Sequence, residues 1–215
     1  MPPDAAEPGL DALCSILPVS RETYDRLAKL VALVKRWQRA ENLIAPGTVA
    51  DIWTRHVADS AQLVPLFPDA RHWLDLGSGG GFPGLVIAIL IAESAGDCLV
   101  HLVESNARKC AFLRTAARET RAPARIHQGR IESILAAIPG PVDVITARAL
   151  APLDSLLELT AHLIGPAKAA FFKGVDFQRE VAEASHTWDF DLVVHPSRIS
   201  EGSAILEIPR AVRRI

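Results

Sequence analysis

Apolar and polar positions follow two different patterns along this chain, and the change falls near residue 66. Ser20, a residue type that caps helix N-termini, precedes a stripe of apolar residues at helical spacing that runs to about Ala40. A second apolar face at the same spacing runs from about Val49 to Val64. We therefore predict two helices in an N-terminal helical extension that spans residues 1–65.

From residue 72 onwards, short apolar runs alternate with helical segments. Five of these runs are candidate strands: residues 72–76, 99–104, 124–128, 142–147 and 168–172. Such an alternation predicts a mostly parallel sheet with helices on both faces. Two further runs, Phe190–His195 and Ala204–Ile208, are joined by a connection too short for a crossover helix. They should pair as an antiparallel hairpin. We therefore predict an α/β, Rossmann-like core with a seven-stranded sheet over residues 66–215.

The first predicted strand leads into a glycine-rich turn and then into an apolar helix, Leu85–Ile91. The turn reads Asp75-Leu76-Gly77-Ser78-Gly79-Gly80-Gly81-Phe82-Pro83-Gly84. Glycines adopt positive φ at low cost and allow a ligand to approach the main chain, and the start of the following helix presents unpaired N–H groups. This strand–turn–helix context favours a cofactor site over a turn that binds nothing.

Two classes of cofactor compete for this turn. Gly79, Gly81 and Gly84 satisfy the G-x-G-x-x-G spacing of a dinucleotide site. Asp75 favours a methionine-derived cofactor, because its carboxylate attracts a cationic amino group and repels a pyrophosphate. Glu104, at the end of the second strand, can accept hydrogen bonds from both ribose hydroxyls of either cofactor. The pattern therefore favours S-adenosylmethionine (SAM) and the fold of a class I SAM-dependent methyltransferase.

The turn after the third strand adds two candidates for the same site. Ile131 offers a small apolar side chain that could lie on an adenine ring, and the main chain around Glu132 could bond the edge of that ring. Glu132 is also an acid in the first turn of a helix, where it would favour the helix dipole without touching a ligand. Both interpretations of Glu132 stay open at the level of the sequence.

The segment after the fourth strand, Ala147–Pro152, lacks the D/N-P-P-Y/F/W turn of enzymes that methylate exocyclic amines. It also lacks the cysteine nucleophile of enzymes that methylate cytosine carbon. A ring nitrogen with its own lone pair, such as guanine N7, needs only alignment with the methyl donor. Arg148 is the candidate catalytic residue, because it can hold the cofactor carboxylate, a phosphate or the guanine edge. An ordinary surface arginine is the alternative.

The formal net charge of −2 excludes a generally basic nucleic-acid binder, so any contact with RNA requires a local patch. Basic residues form three groups: Lys35, Arg36 and Arg39; Arg108, Lys109, Arg114, Arg118, Arg121 and Arg125; and Arg210, Arg213 and Arg214. If these groups converge, they form a phosphate-binding surface whose affinity falls with salt. Otherwise they are solvated faces.

Other features limit the class of protein. The chain has no apolar run of the roughly 20 residues that span a bilayer, and its start is unlike a secretory signal. Three scattered cysteines have no metal-ligand spacing and fit a reducing compartment. We expect a soluble, cytoplasmic monomer without a metal. We also expect His56 and Asp59 to order the wall between extension and site, and not to move protons.

Four segments together resemble one bacterial family. They are Asn42-Leu43, Arg55-His56-Val57-Ala58-Asp59-Ser60, the segment from Leu74 to Gly84, and Thr146-Ala147-Arg148-Ala149. The family is the 16S rRNA (guanine-N7) methyltransferase G family, also called glucose-inhibited division protein B, and the likeness covers roughly residues 20–210. Ile44 departs from it, since threonine is usual there.

The resemblance implies SAM-dependent N7 methylation of one guanine in 16S rRNA, with that RNA or the small ribosomal subunit as partner. The family's cofactor-binding positions match Gly77, Phe82, Ile131, Glu132 and Arg148, with Glu104 as the ribose acid, and Lys173-Gly174 matches a further family element. With Asp75 and Gly79, these residues complete the predicted site. Two other functions stay open: a non-catalytic RNA-binding or ribosome-assembly factor, and a nicotinamide-dependent oxidoreductase.

Overall fold

The chain forms a seven-stranded sheet between two layers of helices, in a computed structural model that describes residues 9–93 and 97–214. The strands are β1 (His72–Leu76), β2 (Leu99–Glu104), β3 (Ala124–Gln128), β4 (Val144–Arg148), β5 (Lys168–Lys173), β6 (Trp188–Pro196) and β7 (Ala204–Arg213). Their order is β3-β2-β1-β4-β5-β7-β6, and β7 runs in the direction opposite to the other six strands. The predicted parallel sheet with a C-terminal hairpin is confirmed.

Helices and one buried cluster of side chains cover each face of the sheet. The helices are α1 (Leu10–Ile16), α2 (Arg21–Trp37), α3 (Asp59–Ala61), α4 (Leu63–Leu66), α5 (Gly84–Ile91), α6 (Ala107–Thr120), α7 (Ile131–Leu135), α8 (Leu153–Thr160) and α9 (Phe177–Thr187). On one face α2, α5 and α6 pack together, and on the other face α8 and α9 do so. Almost every residue of α5 is buried, because the sheet lies beneath it and the extension covers it.

The first predicted helix is confirmed. Ser20 caps α2, since its hydroxyl accepts a hydrogen bond from the Thr23 N–H at 3.0 Å. The helix ends at Trp37, slightly before the predicted end near Ala40. The sequence pattern did not reveal α1, whose seven residues are too few to show a helical period.

The second predicted helix, from about Val49 to Val64, is helical from Ile52 onwards but is not one regular α-helix. The chain instead forms a π-helical segment, Trp53–Ala58, followed by the short helices α3 and α4. Pro65 has no N–H to continue an α-helical ladder. Residues 56–63 are buried on all sides and not along one stripe, because α1 and α5 pack against this stretch.

One hydrophobic cluster runs across the predicted boundary at residue 65. It joins Leu27 and Val57 of the extension to Trp73 and Leu85 of the core. The extension therefore shares a core with the sheet, and the division into residues 1–65 and 66–215 stays a prediction. Within the ranges that the structure describes, no helix is both long enough and apolar enough to cross a bilayer.

Candidate functional site

Three adjoining cavities open along the carboxyl ends of the parallel strands, the edge where α/β sheets bind ligands. The extension-side cavity, about 370 Å³, lies between the extension and the glycine-rich turn. The β2-side cavity, about 390 Å³, shares Gly77, Gly79 and Lys109 with it. The hairpin-side cavity, about 190 Å³, shares Arg148 and Ala149 with the extension-side cavity. The glycine-rich turn thus forms a common rim between the two larger spaces.

The main chain of this rim has the predicted conformation. Gly77 and Gly79 have φ values of +66° and +52°, in the left-handed region that favours glycine. A Cβ on Gly77 would lie 2.6 Å from the end of the Leu150 side chain, so a larger residue would displace that side chain and would also be strained by the positive φ. At Gly79 the nearest atom to such a Cβ is 3.7 Å away, which leaves the backbone open to a ligand.

Asp75 lies beneath the turn and not at its surface. Its carboxyl is buried and accepts hydrogen bonds from the Thr146 hydroxyl at 3.0 Å and from the Gly84 N–H at 3.3 Å. Burial raises the pKa of Asp75 to about 7, since these hydrogen bonds compensate the charge only in part. The carboxyl lines none of the three cavities. Its predicted role at the cofactor amino group stays a prediction, and any attraction would act through the turn.

Glu104 ties the second strand to the glycine-rich turn. Its Oε2 accepts a hydrogen bond from the Gly79 N–H at 3.0 Å, and its Oε1 accepts one from the Asn106 N–H at 2.8 Å. Glu104, Ile131 and Glu132 all line the β2-side cavity. The structure therefore brings together the residues predicted to hold the ribose and the adenine.

Phe82 and His56 lie against each other in the extension-side cavity, with ring centroids 5.0 Å apart. The His56 Nε2 is 2.7 Å from the Thr48 hydroxyl, and its Nδ1 is 3.3 Å from an Arg148 nitrogen. Burial, followed by the nearby positive charge of Arg148, lowers the pKa of His56 to about 4. A neutral ring can accept at Nδ1 from Arg148 and donate at Nε2 to Thr48. This arrangement supports an ordering role for His56.

The Arg148 side chain separates the extension-side cavity from the hairpin-side cavity. Its guanidinium pairs with the Asp59 carboxylate at 3.2 Å, donates to the Arg55 carbonyl and lies 5.8 Å from the centre of the Phe172 ring. The side chain is only 20% exposed, so the alternative of an ordinary surface arginine is excluded. Burial raises the pKa of Asp59, and the Arg148 charge opposes that rise.

Several residues of the site were missed by sequence reasoning. Leu43 and Ile44 line the extension-side cavity, and the Gln38 side chain holds their loop by accepting from both N–H groups and donating to the Ile44 carbonyl. Lys109, predicted only as part of a basic run, lines both larger cavities. Ala149 has a φ of +50°, a strained conformation directly beside Arg148.

Lys173, which the resemblance singled out, is buried beside the loop that follows β4. Its ammonium donates to the Ala151 carbonyl at 2.7 Å and pairs with Glu180 at 2.6 Å. Glu180 also accepts from the Leu153 N–H at 2.8 Å. The pair therefore fixes the loop that carries Ala149. Over the part of the chain that the structure describes, no three His, Cys, Asp or Glu side chains form a group that could hold a metal ion.

Comparisons with known proteins agree with this geometry. A family model described as "GidB: rRNA small subunit methyltransferase G" matches residues 23–204. Two curated relatives, from Brucella canis and Brucella abortus, are each 51% identical over 212 residues. The alignments cover 98% of this chain and 99% of each relative, and both relatives carry the name "Ribosomal RNA small subunit methyltransferase G".

Solved structures show the same fold at low sequence identity. Cofactor-bound Rv0187 from MTB superposes with a TM-score of 0.61 at 15% identity, over 95% of this chain and 98% of that one. The O-methyltransferase TomG from Streptomyces achromogenes, in complex with SAM, gives 0.58 at 16% identity, over 94% and 96%. These likenesses confirm the predicted class I methyltransferase fold.

Proposed function

Because this chain belongs to the rRNA small subunit methyltransferase G family, we propose that it transfers a methyl group from SAM to N7 of one guanine in 16S ribosomal RNA. The partner is this RNA or the small ribosomal subunit, and the compartment that follows is the cytoplasm. The observation that carries the proposal is the pair of large cavities that meet at the bare backbone of Gly77 and Gly79.

The residues of these cavities suit the two ends of SAM. On the β2 side, the Ile131 side chain offers an apolar surface for the adenine ring, and the Glu104 carboxylate is placed for the ribose hydroxyls. On the extension side, Phe82 and the open main chain at Gly79 suit the methionine portion. When bound, SAM supplies an electrophilic methyl group on a positively charged sulfur.

The substrate end of the site requires alignment and no removal of a proton. The guanine N7 lone pair forms the new N–C bond as the S–C bond breaks, so the positive charge passes from sulfur to the base. Arg148 is the residue proposed to hold the cofactor carboxylate, the guanine edge or a phosphate, because its guanidinium borders two of the cavities. The low pKa of His56, about 4, leaves it neutral and bonded within the wall.

Both predicted parts of the chain contribute to the site, which supports the division into residues 1–65 and 66–215 as a functional one. The extension supplies Leu43, Thr48 and His56 to the first cavity, and the core supplies the glycine-rich turn and Arg148. In this arrangement the core supplies most of the SAM site, and the extension closes the cavity that takes the methionine portion.

Labelled SAM and small ribosomal subunits from cells that lack this protein test the proposal. We expect label at N7 of a single guanine of 16S rRNA. Calorimetric titration should show binding of SAM and none of NAD. Binding of SAM without any methyl transfer to the subunits or to their RNA would contradict the proposed function. Preferential binding of NAD would favour the oxidoreductase, and binding of neither would favour a non-catalytic factor.

A further inference from the structure

Three contacts fix how α2 and α6 lie against each other. The Lys29 ammonium donates to the Glu119 carbonyl at 3.2 Å, the Trp37 and Phe112 rings meet edge to face at 5.7 Å, and Arg108 pairs with Glu41 at 3.2 Å. Residue numbers rise along α2 as they fall along α6, so the two helices are antiparallel. The C-terminal end of α2 therefore lies beside the N-terminal end of α6.

This arrangement brings together two of the three basic groups seen in the sequence. We define the α2–α6 basic surface as Lys35, Arg36, Arg39, Arg108, Lys109 and Arg114. All six are exposed except Lys109, which is half-buried. The segments that carry them, residues 35–41 and 107–114, contain a single acid, Glu41. Among the described residues, only Arg108 of this set has an ion pair.

The last residue of the long basic run, Arg125, lies on β3 and not on α6. Arg125 pairs in register with His101 on β2, and residues in register point to the same face of a sheet. Val100 and Leu102, one residue to either side of His101, pack with Phe112 of α6 on the other face. Arg125 therefore points away from α6 and does not belong to the surface.

The C-terminal arginines are also separate. Arg210 and Arg213 lie on β7, and Arg214 follows it. In the sheet, β4 and β5 separate β7 from β1, whereas α6 packs against β2 and β3 on the other side of β1. Arg210 pairs with Asp189 at 2.6 Å, and Arg213 pairs with Glu158 at 2.9 Å. These local carboxylates offset the arginine charges. Among the described residues of the three basic groups, most of the cations that have no ion pair thus lie on the α2–α6 side.

We propose that the α2–α6 basic surface binds the sugar–phosphate backbone of the substrate RNA, an inference that rests on the proposed function. Unpaired, exposed arginines and lysines suit phosphates, whereas paired ones have already lost part of their attraction. The surface continues into the site, because Lys109 lines both large cavities. A strand held on this surface is thereby directed to the rim where the methyl donor is bound.

The test compares two triple variants that lose the same charge. The first, Arg36→Gln/Arg39→Gln/Arg114→Gln, removes three cations of the α2–α6 basic surface. The control, Arg179→Gln/Arg210→Gln/Arg213→Gln, removes three exposed cations that have acidic partners elsewhere. For each variant, binding of small ribosomal subunits is measured against salt concentration, together with KM, kcat and the affinity for SAM.

We expect the first variant to raise KM for the subunits roughly tenfold at physiological salt, and to reduce the slope of log affinity against log salt by about two to three. Its affinity for SAM should equal that of the wild type, which shows that it folds. The control should match the wild type in all respects. Equal losses in both variants, or no loss in the first, would overturn the proposal.

The binding arm separates this proposal from the proposed function. If the wild-type protein binds subunits without methylating them, the proposed function fails, while the salt slopes still decide where the RNA lies. If methylation proceeds and the first variant keeps the wild-type slope, the function stands and the surface is wrong.

Discussion

Two buried aspartates lie near the site, one in the extension and one beneath the glycine-rich turn, and they are stabilised differently. Asp59, in the wall formed by the extension, pairs with the guanidinium of Arg148 at 3.2 Å. Asp75, beneath the glycine-rich turn, has hydrogen bonds from Thr146 and Gly84, and no ion pair among the described residues. Burial raises the pKa of both carboxyls. The wall therefore carries its own counterion, whereas the cofactor side is left with a carboxyl that a cationic ligand would stabilise.

The largest effect is expected for Arg148→Ala, which removes the cation that pairs with Asp59. Methyl transfer should fall roughly 10- to 100-fold or more, the range for losing a charged hydrogen bond in the transition state. The free energy of unfolding should fall by about 3 kcal/mol, because the buried Asp59 carboxylate loses its ion-pair partner and keeps only hydrogen bonds from Gln62 and Ser197. Single-turnover methylation and denaturant unfolding measure the two losses.

A second variant separates catalysis from stability. Asp59→Asn in the Arg148→Ala background removes the unpaired charge, and its amide can still bond Gln62. It should recover much of the stability and none of the activity. Recovery of methyl transfer in this double variant would show that Arg148 acts only by holding Asp59, and would remove it as a catalytic residue.

The next largest effect is expected for the second of the two aspartates, in the variant Asp75→Asn. Affinity for SAM should fall by up to roughly tenfold, because the carboxyl acts through the turn and a shift of about one pKa unit is the lower end of what a neighbouring cation causes. Stability at pH 8 should not fall, because the pKa of about 7 means that the wild type holds a buried charge there. Calorimetric titration and thermal unfolding measure both quantities.

Asp143→Asn is the matched control for that change. Asp143 immediately precedes β4, at the opposite end of the strand from the site, and accepts hydrogen bonds from the Arg71 and His72 N–H groups. Its replacement should leave SAM affinity unchanged. If Asp75→Asn also binds SAM like the wild type, Asp75 has only a structural role.

A smaller effect concerns His56 and acid stability. Its pKa is about 4 in the folded chain against 6.5 when unfolded, so the unfolded chain binds the proton first. Stability is fully present above pH 6.5 and decreases as the pH falls towards 4. The loss due to His56 is at most about 3 kcal/mol. Unfolding measured from pH 7 to 4 should show a shallower loss in His56→Gln than in the wild type, and equal slopes would contradict this assignment.

The sheet could be predicted from the sequence because each strand is a short apolar run between turn residues. The conformation of the glycine-rich turn could be predicted as well, since its glycines follow directly in the chain. The contacts of the wall could not be predicted, because they join residues that are distant in the sequence. Arg148 meets Asp59 only in the folded chain. The π-helical segment was also missed: α1, distant in the sequence, packs against it, and local periodicity does not distinguish it from an α-helix.

The smallest predicted effect is the release of a fraction of a proton when SAM binds. It tests most directly whether the two aspartates differ in their electrostatics. With a pKa of about 7, Asp75 is about half protonated at pH 7 before SAM binds. A bound cationic amino group would favour the ionised carboxyl, so binding should release about half a proton at pH 7 and fewer at pH 8.5. Calorimetric titration in buffers of different ionisation enthalpy measures this number. Asp75→Asn should abolish the release and His56→Gln should preserve it, because the pKa of His56, about 4, already leaves it neutral. Release that persists in Asp75→Asn would assign the proton to another group and remove the electrostatic difference between the two aspartates.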